Sequence, residues 1–146
     1  MEITYRPFRS LDGTDVYDLL ALRQRVFVVE QACAYLDADG LDRAAQHLLI
    51  RQDRVLVACA RVLAPGVRFP SIGIGRVVVA PERRGSGLGR VVMQQAVSHI
   101  ENENGASTIM LAAQAHLERF YGSLGFERVS DEYDEDGIAH IDMRRG

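Results

Sequence analysis

The sequence predicts an α/β (α+β) domain spanning residues 1–146, with a mixed sheet and helices on both of its faces. Two observations lead to this fold class. Helical apolar spacing alternates with short β-rich runs, in the order helix, antiparallel strands, then strand–helix–strand–helix–strand. No repeat, low-complexity tract or Pro/Gly/Ser-rich linker divides the 146 residues, a length typical of one domain.

The first half predicts one helix and three strands. The helix begins near Thr14, which we expect to be its N-cap, with Asp15 favourable in the first turn. Its apolar stripe consists of Val16, Leu19, Leu20, Val26 and Phe27. Residues 47–50 and 55–63 are apolar runs joined by a polar turn, which predicts a β-hairpin. Residues 72–79 predict a third strand, ended by Pro81.

The second half predicts two helices and three strands. An amphipathic helix is indicated by apolar residues at every fourth position, namely Leu88, Val92, Ala96 and Ile100. A second helical spacing is formed by Leu117, Phe120, Tyr121 and Leu124, and Gly125 is its predicted C-cap. Strands are predicted at residues 108–112, 126–132 and 138–143.

Composition and charge exclude several function classes. A formal net charge of −3 argues against free nucleic acid as the main partner. No apolar run approaches the ~18 residues of a membrane helix, and no secretory signal is seen, so we expect a cytoplasmic protein without a membrane partner. Cys33 and Cys59 lack metal-ligand spacing, and no histidine pair has the spacing of a zinc site, so no metal is expected. The oligomeric state stays open, a homodimer included.

The most informative segment is a glycine-rich turn between the third strand and the long helix. Gly85, Gly87 and Gly89 alternate there, and glycine lets a ligand approach the backbone closely. The N-terminus of a helix presents unpaired N–H groups, which favour an anion. Arg83 and Arg84 add positive charge at the same place. The segment therefore predicts a phosphate or pyrophosphate site, with a glycine-rich helix entry as the structural alternative.

The spacing separates this turn from two common phosphate loops. It lacks the lysine of a Walker A loop, and it reads G-x-G-x-G where a dinucleotide fingerprint reads G-x-G-x-x-G. The series Arg84-x-x-Gly87-x-Gly89 instead resembles the R/Q-x-x-G-x-G/A acetyl-CoA signature of the GCN5-related N-acetyltransferase (GNAT) superfamily.

The resemblance implies a cofactor, a set of cofactor contacts and a sheet. The cofactor is acetyl-CoA, and the sheet is GNAT-like, mixed but mostly antiparallel, with a splayed pair of strands at the CoA site. Loop amides would hold the pyrophosphate, and the preceding strand would pair with the pantetheine and polarise the thioester. The implied cofactor-binding residues are Val77, Val78, Val79, Arg84, Gly85, Ser86, Gly87, Leu88, Gly89 and Arg90.

A second motif follows in residues 114–126, which resemble the superfamily pattern N-x-x-A-x-x-x-Y-x-x-x-G-F. Tyr121, Gly125 and Phe126 match it, whereas Gln114 and Leu117 depart from it. The resemblance makes Tyr121 the catalytic general acid that protonates the departing thiolate, a role open to a phenol. Helical spacing alone favours a core aromatic at Tyr121.

Most of the remaining chain resembles the ElaA-like subfamily of these acetyltransferases. The similar blocks are residues 22–31, 47–48, 74–79, 113–116 and 135–143, together with the single positions Cys33, Tyr35, Asp37, Asp39, Gly40 and Asp42. Ala34 and Ala139 stand where prolines are expected, which affects loop stiffness more than chemistry. This resemblance specifies the reaction better than the acceptor.

Acyl transfer to an amine needs a group that removes a proton. Glu30 is the first candidate for base or amine anchor, because partial burial after an apolar run would raise its pKa. A histidine, His47 or His140, is the other candidate. The expected acceptor-binding residues are Arg76, Asp39, His47, Glu135, Asp136 and His140. Arg76 reads equally as a member of a structural ion pair.

Two acidic segments suggest a cationic acceptor. One contains Glu30, Asp37, Asp39 and Asp42, and residues 131–136 form the other. Carboxylates facing one cleft attract an ammonium group, although solvated acidic loops explain either segment alone. The expected activity is direct transfer of an acetyl group to a primary amine in a ternary complex. A non-catalytic acyl-CoA sensor and transfer of another acyl group are the alternatives.

Overall fold

The structure, a computed structural model, describes residues 1–146 and contains eight strands and three α-helices. The strands are β1 (Glu2–Pro7), β2 (Gln46–Gln52), β3 (Val55–Leu63), β4 (Ile72–Val79), β5 (Ile109–Gln114), β6 (Glu127–Arg128), β7 (Tyr133–Glu135) and β8 (Ile138–Arg145). The helices are α1 (Gly13–Arg23), α2 (Leu88–Asn104) and α3 (Glu118–Gly122). A π-helix, Gln24–Glu30, continues α1.

All strands belong to one sheet, in the order β1-β2-β3-β4-β5-β8-β6, and β7 pairs with β8. Every pairing is antiparallel except β4 with β5. The prediction of a mixed, mostly antiparallel sheet is confirmed. The sequence analysis missed β1, whose short alternating pattern around Ile3 and Tyr5 ends at Pro7.

Helices cover both faces of the sheet, as predicted. The helix α2 buries the stripe predicted from its spacing, namely Leu88, Val92, Ala96 and Ile100, against the first face. On the opposite face, α1 and the π-helix bury Leu19, Leu22 and Val26 against β3 and β4. Because both faces are covered, all but the first residue of β3 are buried.

The predicted N-cap, Thr14, was wrong, because the first helix begins one residue earlier, at Gly13. Asp12 is the N-cap, and its carboxylate accepts a hydrogen bond from the Asp15 amide at 2.8 Å. The Asp15 side chain in turn accepts from the Asp12 amide, which completes a capping box. Two orphan amides are thereby satisfied, which explains why Thr14 is not needed as the cap.

The predicted hairpin is present, but the predicted strand at residues 126–132 is not continuous. Asp53 and Arg54, at the β2–β3 turn, both have positive φ, as a two-residue hairpin turn requires. Only Glu127 and Arg128 of that segment form a strand, β6, and β7 begins after the segment ends. The ladder is interrupted between β6 and β7, where the Ser130 hydroxyl accepts the Asp142 amide hydrogen at 2.8 Å. A side chain thus replaces a main-chain partner of β8 there and interrupts the ladder.

Candidate active site

The central sheet is split between its two parallel strands. Hydrogen-bonded pairing of β4 with β5 is confined to Ile72 opposite Ile109 and Gly73 opposite Met110. Beyond these residues the strands separate, and a cleft of about 1040 Å³ lies along the gap. Val77, Val78 and Val79 line this cleft on the unpaired edge of β4. A cleft of this volume accommodates a cofactor-sized ligand.

The glycine-rich loop closes one end of the cleft. Gly85 and Gly87 have φ values of 81° and 85°, which L-residues rarely adopt. A Cβ atom added at either position would meet nothing within 4 Å, so the backbone is open to a ligand. The 17-residue helix α2 begins directly after Gly87, so its unpaired amides lie at the same place. The arrangement suits a phosphate group.

Not every predicted loop residue faces the cleft. Arg84, Gly85, Gly87, Leu88 and Gly89 line it, as does Arg83. Ser86 and Arg90 do not. The Ser86 hydroxyl donates to the Arg83 carbonyl, and the Arg90 guanidinium donates to the Ser123 hydroxyl at 2.9 Å. These two side chains therefore hold the loop and the start of α2 in place rather than line the cleft.

Tyr121 lines the cleft from α3. Its ring packs edge-on against Phe120 and Phe126, with ring centroids 5.1 and 6.2 Å away, and 7% of the residue is exposed. No other residue of the protein hydrogen-bonds its hydroxyl. Burial raises its pKa to about 12, so the phenol stays protonated through the physiological range.

Glu30 is located at the phosphate loop, and its expected burial was wrong. Its carboxylate accepts two hydrogen bonds from the Arg84 guanidinium, at 2.5 and 2.9 Å, and both side chains are partly exposed. The hydrogen bonds from Arg84 lower the pKa of Glu30, contrary to the predicted increase. An ion pair between Arg25 and Glu82 lies between the same two segments. These pairs tie the π-helix to the loop.

A network of three arginines and three aspartates lies beside the cleft. Buried Arg23 bonds Asp37 and Asp42, each at 2.8 Å. Arg61 holds Asp39 with two hydrogen bonds, at 2.8 and 2.9 Å, and also contacts Asp42. Arg76 contacts Asp37 at 2.8 Å and Asp39 at 3.3 Å. These contacts support the interpretation of Arg76 as a member of a structural ion pair. Its φ of 49° marks an irregular backbone position in β4.

This network changes the expectation of an acidic, cation-attracting loop. Asp37, Asp39 and Asp42 are all compensated by arginines. Burial alone would raise the pKa of Asp39, but hydrogen bonds from Arg61 and the Leu41 amide lower it to about 2. The first acidic segment is therefore locally neutralised, and its aspartates anchor a loop rather than form a free negative surface.

The second acidic segment contributes a smaller cluster. Glu135 accepts a hydrogen bond from Arg68 at 2.9 Å, and its other oxygen lies 3.5 Å from Nε2 of His140. Asp136 lines the same cleft without an ion-pair partner, and its carbonyl accepts from the Cys33 thiol. Glu135, Asp136 and His140 are thus brought together with Arg76 and Asp39, as the sequence analysis expected.

His47 does not join them. The residue is buried, its Nε2 is 2.8 Å from the Asp42 carbonyl, and it does not line the cleft. Burial lowers the pKa of its imidazole. Its expected place on the acceptor side was wrong, because His47 lies on β2, one strand farther from the gap than β3, and is packed beneath the aspartate loop.

Several cleft residues were missed from the sequence. Tyr35 lines the cleft, with the Arg76 guanidinium 5.7 Å from its ring centroid. Arg68, Phe69 and His116 also line it. Tyr35 and Arg68 belong to irregular segments, where no periodicity indicates orientation. His116 is the second residue after β5, and its position at the end of this strand could have indicated its place. No cluster of three or more His, Cys, Asp or Glu side chains is arranged to hold a metal ion. None of the helices has the length and apolarity needed to span a bilayer.

A sheet opened between two parallel strands, with a glycine-rich helix entry at one end of the gap, is the architecture of acyl-CoA N-acyltransferases. A family model described as an acetyltransferase (GNAT) domain matches residues 21–145. The chain therefore belongs to the GNAT family, as its motifs indicated.

Individual relatives support the narrower resemblance. The protein ElaA of Escherichia coli is 41% identical over 138 residues, which cover 93% of this chain and 90% of ElaA. The crystal structure of ElaA superposes with a TM-score of 0.93 at 38% identity, covering 99% of both chains. An acyl-CoA N-acyltransferase from Pseudomonas aeruginosa gives a TM-score of 0.94 at 40% identity over the full length of both chains. The ElaA-like resemblance is confirmed.

Proposed function

We propose that this protein is an N-acetyltransferase that moves the acetyl group of acetyl-CoA directly to a primary amine in a ternary complex. One observation carries the proposal. One continuous cleft along the gap between β4 and β5 is lined both by the phosphate-type loop and by a polar group of residues that includes Tyr35, Asp136 and His140. A ligand bound at the loop and a second ligand bound at the polar residues would meet in this cleft, as direct transfer requires.

The residues at the loop fit a CoA pyrophosphate. Open backbone at Gly85 and Gly87, the start of α2 and the arginines Arg83 and Arg84 supply amide donors and positive charge. The Glu30 carboxylate takes the anion's place on Arg84 in this structure. We infer that the pyrophosphate competes with Glu30 for that guanidinium, which gives Glu30 a role in cofactor entry.

The strand β4 and Tyr121 would act on the thioester, which supplies the activated acetyl group. Backbone N–H groups of the unpaired β4 edge near Val78 and Val79 would polarise the carbonyl oxygen. The Tyr121 hydroxyl, free of other partners, would donate a hydrogen bond to the departing sulfur. Neither Cys33 nor Cys59 is needed as an acyl carrier, because the proposed transfer is direct.

Acceptor-dependent release of free thiol from acetyl-CoA tests this function. The panel should include a polyamine, an amino acid, an aminoglycoside and a lysine-bearing tripeptide with a blocked N-terminus, at mildly alkaline pH. We expect release that depends on one class of amine, with an N-acetylated product seen by mass spectrometry. Tight binding of CoA without release from any amine would favour a sensor, and release from a longer acyl-CoA alone would identify another donor.

A further inference from the structure

His140 lines the cleft from β8, the strand that pairs with β5. It lies on β8 opposite Gln114, the last residue of β5. Residues 112, 114 and 140 alternate with the buried Ala113 and Ile141, so they lie on one face of the sheet. His140 therefore lines the cleft across β5 from the gap, together with Tyr35 and Glu135.

Two contacts orient the imidazole. Nδ1 lies 2.8 Å from the carbonyl oxygen of Ile138, which can only accept a hydrogen bond. Nδ1 therefore carries the proton in the neutral ring, and the lone pair is left on Nε2. The ring of Tyr133 stacks on the imidazole with an interplanar angle of 27° and restricts its rotation. The side chain is 12% exposed, so Nε2 is held beside the cleft without being freely solvated.

The charged groups around the ring suit a proton acceptor. One Glu135 carboxylate oxygen lies 3.5 Å from Nε2, a separation longer than a normal hydrogen bond and too short for a water molecule to lie between them. Arg68 binds the other oxygen of Glu135, and the Tyr133 hydroxyl donates to Asp142, two residues along β8. Cys33, Tyr35, Arg76 and Asp136 line the same part of the cleft. Glu135 would stabilise an imidazolium ion once formed.

We propose that His140 is the general base of the reaction, with Glu135 as the residue that positions it; this rests on the proposed function. As the amine nitrogen bonds to the acetyl carbon, Nε2 takes one proton from that nitrogen. The carbon–sulfur bond then breaks, its electron pair leaves on sulfur, and the imidazolium later releases its proton to water. An imidazole matches this task near neutral pH better than a carboxylate, whose ordinary pKa of about 4 makes it a weak base.

The test compares His140→Gln and Glu135→Gln with a matched control, His99→Gln, whose ring lies on α2 against Tyr5 and outside the cleft. The acceptors are the best amine of the panel and hydroxylamine, which is already neutral at pH 7. His140→Gln should lower kcat/KM for the amine by roughly 100-fold or more, a typical effect of a lost general base. The loss should be smaller with hydroxylamine, and the KM for acetyl-CoA should not change.

The pH profile separates a base from a structural residue. In the wild type, log kcat/KM should show an acid limb that reports protonation of the base. That limb should vanish in His140→Gln, and it should shift in Glu135→Gln. A retained limb with unchanged kcat/KM in His140→Gln would overturn the proposal, as would equal losses in His99→Gln.

A spectroscopic measurement tests the assignment of His140 without requiring turnover. Long-range ¹H–¹⁵N spectra of histidine-labelled protein, with His140→Gln for assignment, report which ring nitrogen carries the proton. We expect Nδ1 protonated and Nε2 bare at about pH 8. A proton on Nε2 at that pH would refute the base assignment even if no acceptor were found. Absence of turnover with every amine, together with a bare Nε2, would instead count against the proposed function and not against the geometry of His140.

Discussion

Replacing Tyr121 with phenylalanine removes one hydroxyl and leaves the ring contacts with Phe120 and Phe126 in place. The hydroxyl makes no hydrogen bond inside the protein, so its loss leaves no partner unsatisfied. We therefore expect Tyr121→Phe to fold normally and to bind CoA as the wild type does. Any change in kcat then reports on the hydrogen bond between the Tyr121 hydroxyl and the departing thiolate.

The pKa of Tyr121, about 12, determines how large the effect should be. An alkyl thiol has a pKa of roughly 8.5, so complete proton transfer from this phenol to the thiolate would be uphill by more than three pKa units. The phenol is thus better suited to donate a hydrogen bond than to give up its proton. Hydrogen bonds to charged groups contribute about 1.5–3 kcal/mol, which corresponds to a loss of roughly 10- to 150-fold in kcat.

The assay is thiol release at saturating acetyl-CoA with the preferred amine, with Tyr17→Phe as control because Tyr17 is 75% exposed. The rate of the wild type should not fall between neutral pH and pH 10, since the phenol remains protonated there. An unchanged kcat in Tyr121→Phe would remove the hydroxyl from the mechanism. A basic limb below pH 10 that disappears in the variant would contradict the effect of burial on the phenol.

Three further predictions concern charged residues. Glu30→Gln should lower the Kd for CoA, measured by calorimetry, because Arg84 becomes free to bind the pyrophosphate. The change should be at most about fivefold, since an exposed ion pair contributes no more than about 1 kcal/mol. A higher Kd would instead show that Glu30 supports the binding site. Arg23→Met should reduce the free energy of unfolding by about 2–3 kcal/mol in urea titrations, because buried Asp37 and Asp42 lose its hydrogen bonds and keep only Arg76 and Arg61 as partners. The exposed control Arg43→Met should stay within about 0.5 kcal/mol, and equal losses in the two variants would contradict a stabilising role of the network. The lowered pKa of Asp39 contributes to the free energy of unfolding above pH 3.8, and this contribution is lost as the pH falls toward about 2. In acid titrations, Asp39→Asn should therefore show a shallower decline of the free energy of unfolding with falling pH. An unaltered decline would contradict the pairing of Asp39 with Arg61.

The fold and the cofactor end of the site were accessible from sequence because they depend on local patterns. Apolar residues at every fourth position from Leu88 to Ile100 identify the buried face of α2, whichever element that face packs against. The glycines before it need positive φ and open space, which are properties of the turn itself. A strand ended by Pro81 and this turn together locate the loop within one or two residues.

The acceptor side was less accessible, because there the partner of each charge comes from a distant part of the chain. Glu30 follows an apolar run, yet it pairs with Arg84, 54 positions away. Arg23 meets Asp37 and Asp42 across an irregular loop, and Arg68 meets Glu135 from a different strand connection. Composition shows an excess of acid in these segments but not which carboxylates are compensated.

The buried arginines also explain how an irregular segment can form a wall of the pocket. Residues 31–41 contain no helix or strand, so regular backbone pairing cannot hold them in place. Asp37 and Asp39 fasten this segment to Arg23, Arg61 and Arg76, and Tyr35 is thereby held near the Arg76 guanidinium. Because these charges are already paired, they provide shape rather than net attraction. For the proposed amine acceptor, selection would then rest on the fit of the pocket and on lining groups without an ion-pair partner, such as Asp136.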